Sequence, residues 1–552
     1  MKKKLAKGAA LFMAASMALS GCGGQGGGSQ QTTPANAQGT NSGTQGSNTG
    51  SQNSDEKVTL TLWMQDYDGL DVETCLMTQK LEEMFHVDLQ FQTFSGADGA
   101  TTQYNLSTTS GEYPDIYLSL WFTPSQVMSS AQNGVLIPLN DYIYAAEGSN
   151  YKKALDANDG WEKMVTCGDG NIYTFFYNDT GVHKASEYKM WYREDWLENI
   201  GWSAPPSTPE EFKQYLIDIR DKDANGNGDT TDEIPLMGYY GGRQTDPICF
   251  LMNPFELYTD RYYYITDDNQ IHFSAVTDEW REGLKYIADL YSEGLIAEET
   301  YVQDGDSFKA LLNKDGQDAI IGVFPAWYNG AEINSSIMSW FTYEPIAPLK
   351  GNHQQSAARL GGNFNLSGAI SSQCKNPDVA FKILDYLISE EGSWLGMWGV
   401  EGETYEIVNE PSYGGDATSV RYTVDSIVPY VWNSGFFPRY DTEKMRYAST
   451  QDEAAMEVDN TYVLLHAAEA YEPYYVNHHI PDIVWCDNND VTQAVNDYAA
   501  MINEYIKKMD TEFVMGRSDI NDDAAWKAYL DELNRMGLED YIENLYTYYG
   551  LK

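Results

Sequence analysis

"KVTLTLWMQDYDGLDVETCLMTQKLEEMFHVDLQFQTF", residues 57–94, decides the fold. At its start Val58, Leu60 and Leu62 alternate with polar residues, the period-two pattern of a strand. "ETCLMTQKLEEMF" then places Leu76, Leu81 and Met84-Phe85 at helical spacing, and "VDLQFQTF" returns to alternation. A strand, a helix and a second strand in that order require a crossover connection, so the strands are expected to pair in parallel and the class to be α/β.

The pattern continues outward. "YPDIYLSL" reads as another buried strand. "NPDVAFKILDYLISEEG" carries Asn376 as a cap and Pro377 at the first helical position. "NNDVTQAVNDYAAMINEYIKKM" repeats Val491, Val495, Tyr498, Ile502, Tyr505 and Met509, an amphipathic helix. A chain of 552 residues is too long for one core, and two α/β lobes within residues 57–552 are expected, with a cleft between them.

Charge excludes whole classes of partner. Asp and Glu number 82 against 35 Lys and Arg, for a formal net charge of −47. A nucleic-acid binder needs a basic footprint, and an anionic membrane surface repels such a chain. The start reads as a processing signal: "MKKKLAKG" is a positive n-region and "AALFMAASMAL" a short apolar stretch. "LSGC" resembles a bacterial lipobox, which implies a signal peptide over residues 1–21, a lipidated Cys22 and attachment to the cell membrane through that anchor. Residues 22–56 hold Gly, Ser, Gln, Asn and Thr with no aromatic or large aliphatic residue, and read as a flexible tether. Cys75, Cys167, Cys249, Cys374 and Cys486 are odd in number and widely spaced, which is no disulfide framework, and no C-x-x-C or H-E-x-x-H motif points to zinc.

Several segments in one order then resemble a known family: "LTLWM", "QYNLSTTSGEYPDIYL", "NGVLIPLNDYI", "DGNIYTFF", "YREDWLENIGWSAPPSTPEEF", "CKNPDVAFKILDYLISEEGSWLGMWGVEGETYE" and "WKAYLDELNRMGL". The chain is similar to the LipO-like, family 1 extracellular solute-binding lipoproteins of ABC-type carbohydrate importers. The resemblance implies a two-lobe clamp of the periplasmic-binding-protein type, each lobe a sheet flanked by helices. It implies capture of a sugar or oligosaccharide between the lobes and delivery to the permease subunits of an importer. A monomer is expected.

A sugar has apolar faces and a rim of hydroxyls, so its site needs aromatic rings beside carboxylates, amides or Arg. Candidates follow apolar runs that read as strands. They are Trp63, Gln65, Asp66 and Tyr67; Trp121; and Trp327 and Tyr328, while "GGNFNLSG" adds Asn363 and Asn365. "YYGGRQTD" adds Tyr240 and Arg243, and "VWNSGFFPRY" adds Trp432 and Arg439. Trp394 and Trp398, one helical turn apart, fit core packing, and Trp191 and Trp196 fall at a helix start in "WYREDW". Two other readings stand beside capture: a surface-anchored glycoside hydrolase, which needs a pair of carboxylates, and a tethered peptide-binding or adhesive protein. No G-x-S-x-G elbow appears.

One loop asks for a cation. "DKDANGNGDTTDEIPL", residues 221–236, crowds acids around glycines, with Lys222 its only positive residue. Hard oxygen donors at alternate positions around a glycine turn suit Ca²⁺. Counting from Asp221 gives Asp221, Asp223, Asn225, Asp229 and Asp232. Counting from Asp223 gives Asp223, Asn225, Asn227 and Asp229, closed by Asp232 and Glu233. The family resemblance favours the second register, with the ion in a structural role.

Overall fold

The computed structural model describes residues 57–145, 148–333, 342–359, 363–432, 437–451 and 461–551. The expected signal peptide, the tether and Cys22 lie outside the described residues. Lys57–Lys552 form one unit.

The opening stretch folds as its pattern dictates. Strand β1 (Val58–Gln65), the helix Leu76–Phe85 and strand β2 (Val87–Phe94) form in order, and β1 pairs with β2 in parallel from Val58↔Val87 to Gln65↔Phe94. His86, at φ 53°, ends the helix in a left-handed conformation and turns the chain straight into β2. Strand β3 (Ile116–Phe122) pairs with the other side of β1, also in parallel. With β4 (Thr174–Asp179), β9 (Asn363–Ile370) and β10 (Arg439–Tyr440), these strands make a six-stranded sheet ordered β10-β4-β9-β3-β1-β2. β9 runs antiparallel to both neighbours.

The second lobe is built on β5 (Lys189–Arg193), β6 (Ile234–Leu236), β7 (Ile321–Ala326) and β8 (Tyr343–Ile346), ordered β8-β5-β7-β6. Its largest helix, Asn489–Val514, buries Val495, Ile502, Ile506 and Phe513 and packs against Asp278–Ser292 and Leu538–Tyr548. Asn488 caps it, its side chain accepting from the N–H of Asp490 and Val491. The chain passes between lobes after β4, between β8 and β9, and again after β10.

Each lobe has its own core. Leu60, Leu62, Ile116, Phe176, Leu366 and Leu384 fill the first; Met190, Phe212, Leu216, Ile287 and Leu533 fill the second. Trp398 is buried, as its helical spacing with Trp394 suggested. Trp191 and Trp196 are buried too, but Trp191 sits in strand β5 and only Trp196 in the short turn of helix that follows. Cys75, Cys167, Cys249, Cys374 and Cys486 are free thiols.

Candidate functional site

In the first lobe β2 and β3 lie on opposite sides of β1, so strand order reverses there. In an open α/β sheet such a switch point leaves a crevice at the carboxyl ends of the strands. Gln65 ends β1, Asp66 and Tyr67 follow it into that region, and Tyr67 is 42% exposed. Trp121, near the end of β3, is 57% exposed, a large apolar surface for water to cover. It pairs with Ser367 of β9, and Asn365, two residues along, shares that face. Asn363 opens β9 opposite Asp179 of β4; its side chain lies outside the described set.

Trp121 and Asn365 line one cleft of about 390 Å³. Its other wall comes from the second lobe: Arg261, Tyr548, and Asn489, Thr492 and Asn496 from the first turns of the helix Asn489–Val514. Asp482 and Cys486 lie on the segment leading to that helix. An exposed indole facing amides, a hydroxyl and a guanidinium offers a stacking plane and donors and acceptors for a polyhydroxylated ligand. None of the second-lobe residues carries a local sequence signal, because they join Trp121 only through the tertiary fold.

Other candidates lie elsewhere. Trp63 is 9% exposed; its indole N–H donates to Gln92 at 2.7 Å and its ring meets Tyr117 edge-on at 5.6 Å. β1 is an interior parallel strand, covered on both faces, so alternation gives Trp63 no open side. Trp432 has no exposed surface and donates to Thr78 at 2.9 Å. Arg439 is fully buried in a bidentate pair with Asp441, at 2.5 and 2.9 Å. These three are corrected from cleft-facing to interior positions.

Trp327 and Tyr328 follow β7 and pack edge-on at 4.2 Å. Behind them Lys189, with no exposed surface, donates to the main-chain carbonyl of Trp327 at 3.0 Å and to that of Ser186. Its ammonium also stands 5.8 Å from the ring centre of Tyr471. Burial pushes the Lys189 ammonium down to about 7, partly opposed by Glu187. Tyr240 and Arg243 line a separate, second-lobe cavity, where Glu187 and Asp260 hold the Arg243 guanidinium.

In the acidic loop Asp221 is engaged by Arg220 at 2.7 Å. From Asp223 onward the loop curls around its own side chains. Asn225 accepts from the N–H of Asn227, Asn227 from that of Asp229, and Asp223 from that of Gly228. Gly226 and Gly228 supply the turn at φ 71° and 91°. Glu233 reaches back to accept from Ala224 at 2.7 Å. One oxygen each of Asp223, Asp232 and Glu233 is buried with no hydrogen-bond partner among the described residues. Burial raises the Glu233 carboxyl above its ordinary range, and Asp232 adds to the rise. Three orphaned carboxylate oxygens in a glycine loop fit a hard cation in kind. Among the described residues, though, no three His, Cys, Asp or Glu side chains converge on a common point as they stand.

Comparison with known proteins accords with this architecture. The family model described as bacterial extracellular solute-binding protein matches residues 77–404, and the chain belongs to that family. The fructooligosaccharide ABC transporter substrate-binding protein FusA of Streptococcus pneumoniae is 27% identical over 495 residues, covering 86% of each chain. Lipoprotein LipO of Bacillus subtilis is 23% identical over 316 residues, covering 55% of this chain and 59% of the relative. The structure of an EF-hand mutant of S. pneumoniae FusA in complex with fructo-nystose superposes with a TM-score of 0.73 at 24% identity, covering 89% of this chain and 99% of that one. The fold is therefore the two-lobe fold of solute-binding proteins.

Proposed function

We propose that this extracellular solute-binding protein captures an oligosaccharide between its lobes, leaves it intact, and delivers it to the permease of an ABC importer. The observation that carries this reading is the cleft in which Trp121 and Asn365 of one lobe face Arg261, Asn489 and Asn496 of the other. The substrate-binding relative FusA, named for fructooligosaccharides, supports it. A ligand gripped by both walls has more contacts when the lobes are closed, the behaviour a carrier needs. Asp66, Tyr67, Asn363, Trp327 and Tyr328 are assigned to the extended rim of the site.

The test is calorimetry of the full chain against a panel of neutral oligosaccharides that includes kestose- and nystose-type fructans, with chromatography of the ligand afterwards. Saturable binding with unchanged ligand is expected, and weaker binding in Trp121→Ala. Cleaved ligand would instead support a glycoside hydrolase.

In the same reading Cys22 carries the lipid that holds a monomeric chain at the outer face of the cell membrane, residues 22–56 being the tether. A diacylated cysteine supplies the two chains that stable anchoring requires. The loop Asp223–Glu233 binds one structural Ca²⁺, with Asp223, Asn225, Asn227, Asp229, Asp232 and Glu233 as its oxygen donors. The orphaned oxygens of Asp223, Asp232 and Glu233 support it, as does the EF-hand named in the FusA structure.

A further inference from the structure

Residues 481–488 run between two anchors in the second lobe. Ile480 is buried in that lobe's core. Asn488 caps the helix Asn489–Val514, which the same core holds through Val495. Between the anchors the chain leans on the other lobe. Ile483 and Trp485 pack against the core of the first lobe. The indole N–H of Trp485 donates at 2.9 Å to the main-chain carbonyl of Met164, in the short first-lobe helix Trp161–Val165. Two residues on, the Asp487 carboxylate lies so close to Gly168 that a Cβ at residue 168 would overlap its Oδ1. A glycine there lets the two segments approach this closely.

Little else fixes the segment. It belongs to no strand or helix, and among the described residues no main-chain N–H from 482 to 488 has a hydrogen-bond partner. A stretch without a backbone ladder is held by what its side chains grip. In an extended chain successive side chains point to opposite sides. Here one side, with Trp485 and Asp487, meets the first lobe, while Asp482, Val484 and Cys486 line the interlobe cleft. Ile483 reaches both, and Trp485 is not part of the cleft lining. One wall of the cleft therefore rests, through an indole, on the lobe that supplies the other wall with Trp121 and Asn365.

We propose that Trp485 is a positioning residue for the interlobe cleft: its bond to Met164 holds the strap 481–488 against the first lobe and so fixes where Asp482, Val484 and Cys486 meet the ligand. The proposal rests on the reading of that cleft as an oligosaccharide site.

Two variants test it in the full chain. Trp485→Phe keeps a ring and loses the N–H; Trp485→Ala loses both. Calorimetry uses the tightest-binding member of the neutral oligosaccharide panel that includes kestose- and nystose-type fructans. Affinity should fall about threefold to tenfold in Trp485→Phe and further in Trp485→Ala, although neither change removes a group that lines the cleft. Hydrogen exchange adds a readout that a merely structural role does not move. Saturating ligand should slow exchange both at 119–123 and at 482–488 in the wild type. In Trp485→Phe the protection of 119–123 should persist and that of 482–488 should be lost. Melting curves report folding, and Trp485→Phe carries the test alone if the alanine variant unfolds. Wild-type affinity in folded Trp485→Phe, or equal protection of 482–488 in both proteins, overturns this proposal alone. A wild type that binds no member of the panel overturns the reading of the cleft, and the positioning role with it.

Discussion

Lys189 and Trp327 are joined by a hydrogen bond of 3.0 Å from ammonium to main-chain carbonyl, at a place where Lys189 has no exposed surface. The bond fastens the start of β5, where the chain has just crossed between lobes, to the residue that follows β7.

This buried ammonium makes stability depend on pH. Its folded value, about 7, lies below the ordinary 10.5. Between those values the unfolded chain holds a proton that the folded chain refuses, so the wild type gains stability as pH rises through that window; below about 7 the penalty is fully present. Lys189→Met lacks this term. Urea melts from pH 6.5 to 10 should show the wild type gaining on the variant by up to a few kcal/mol. Parallel curves would mean that Lys189 does not titrate in this range.

Trp121 and Trp63 should separate binding from stability. Trp121→Ala removes an exposed ring and should weaken oligosaccharide binding by about 1–2 kcal/mol with little change in melting. Trp63→Ala opens the core beside Tyr117 and should cost about 3–5 kcal/mol of stability. Calorimetry and denaturation of both variants give the comparison; the reverse pattern would return Trp63 to the cleft.

How far the sequence could be read follows from where each residue's partners sit. The first strand–helix–strand unit is local, and residues 57–94 carry its whole pattern. The acidic loop is local as well: Asp223 to Glu233 supply their own turn and their own donors. Trp432 was misread because its partner, Thr78, lies 354 residues away. Arg439 was misread although Asp441, two residues on, stood in view, since a charge pair in sequence says nothing of its burial. The far wall of the cleft, Arg261 and Asn489 among it, was invisible for the same reason as Thr78.

Calcium should stabilise the second lobe. At about a hundredfold excess over its dissociation constant the ion adds about 2.7 kcal/mol. Chelator should lower the melting temperature, millimolar calcium should restore it, and Asp223→Ala should abolish the difference while sugar binding at low temperature persists. A chelated wild type indifferent to calcium would leave the loop as a solvated turn.

Ligand should draw the lobes together. Small-angle scattering with saturating oligosaccharide is expected to give a smaller radius of gyration than without it, because a ligand touching both walls favours the closed state. An unchanged radius would indicate a rigid cleft.

Cys22→Ala should release the protein from the cell. Fractionation is expected to move it from membranes to the medium, since the proposed anchor's two acyl chains would be lost together. Continued sedimentation with membranes would identify another anchor.

The three orphaned oxygens of Asp223, Asp232 and Glu233 also bear on when the molecule is finished. Glu233 immediately precedes β6, so the loop and a strand of the second sheet share one hinge of stability. An exported chain would gain from an element that does not settle at the point of synthesis. Free calcium is scarce in the cytosol and plentiful outside. A loop completed by that ion would act as a geographic timer, leaving the second lobe pliant before export and firm once the chain has arrived.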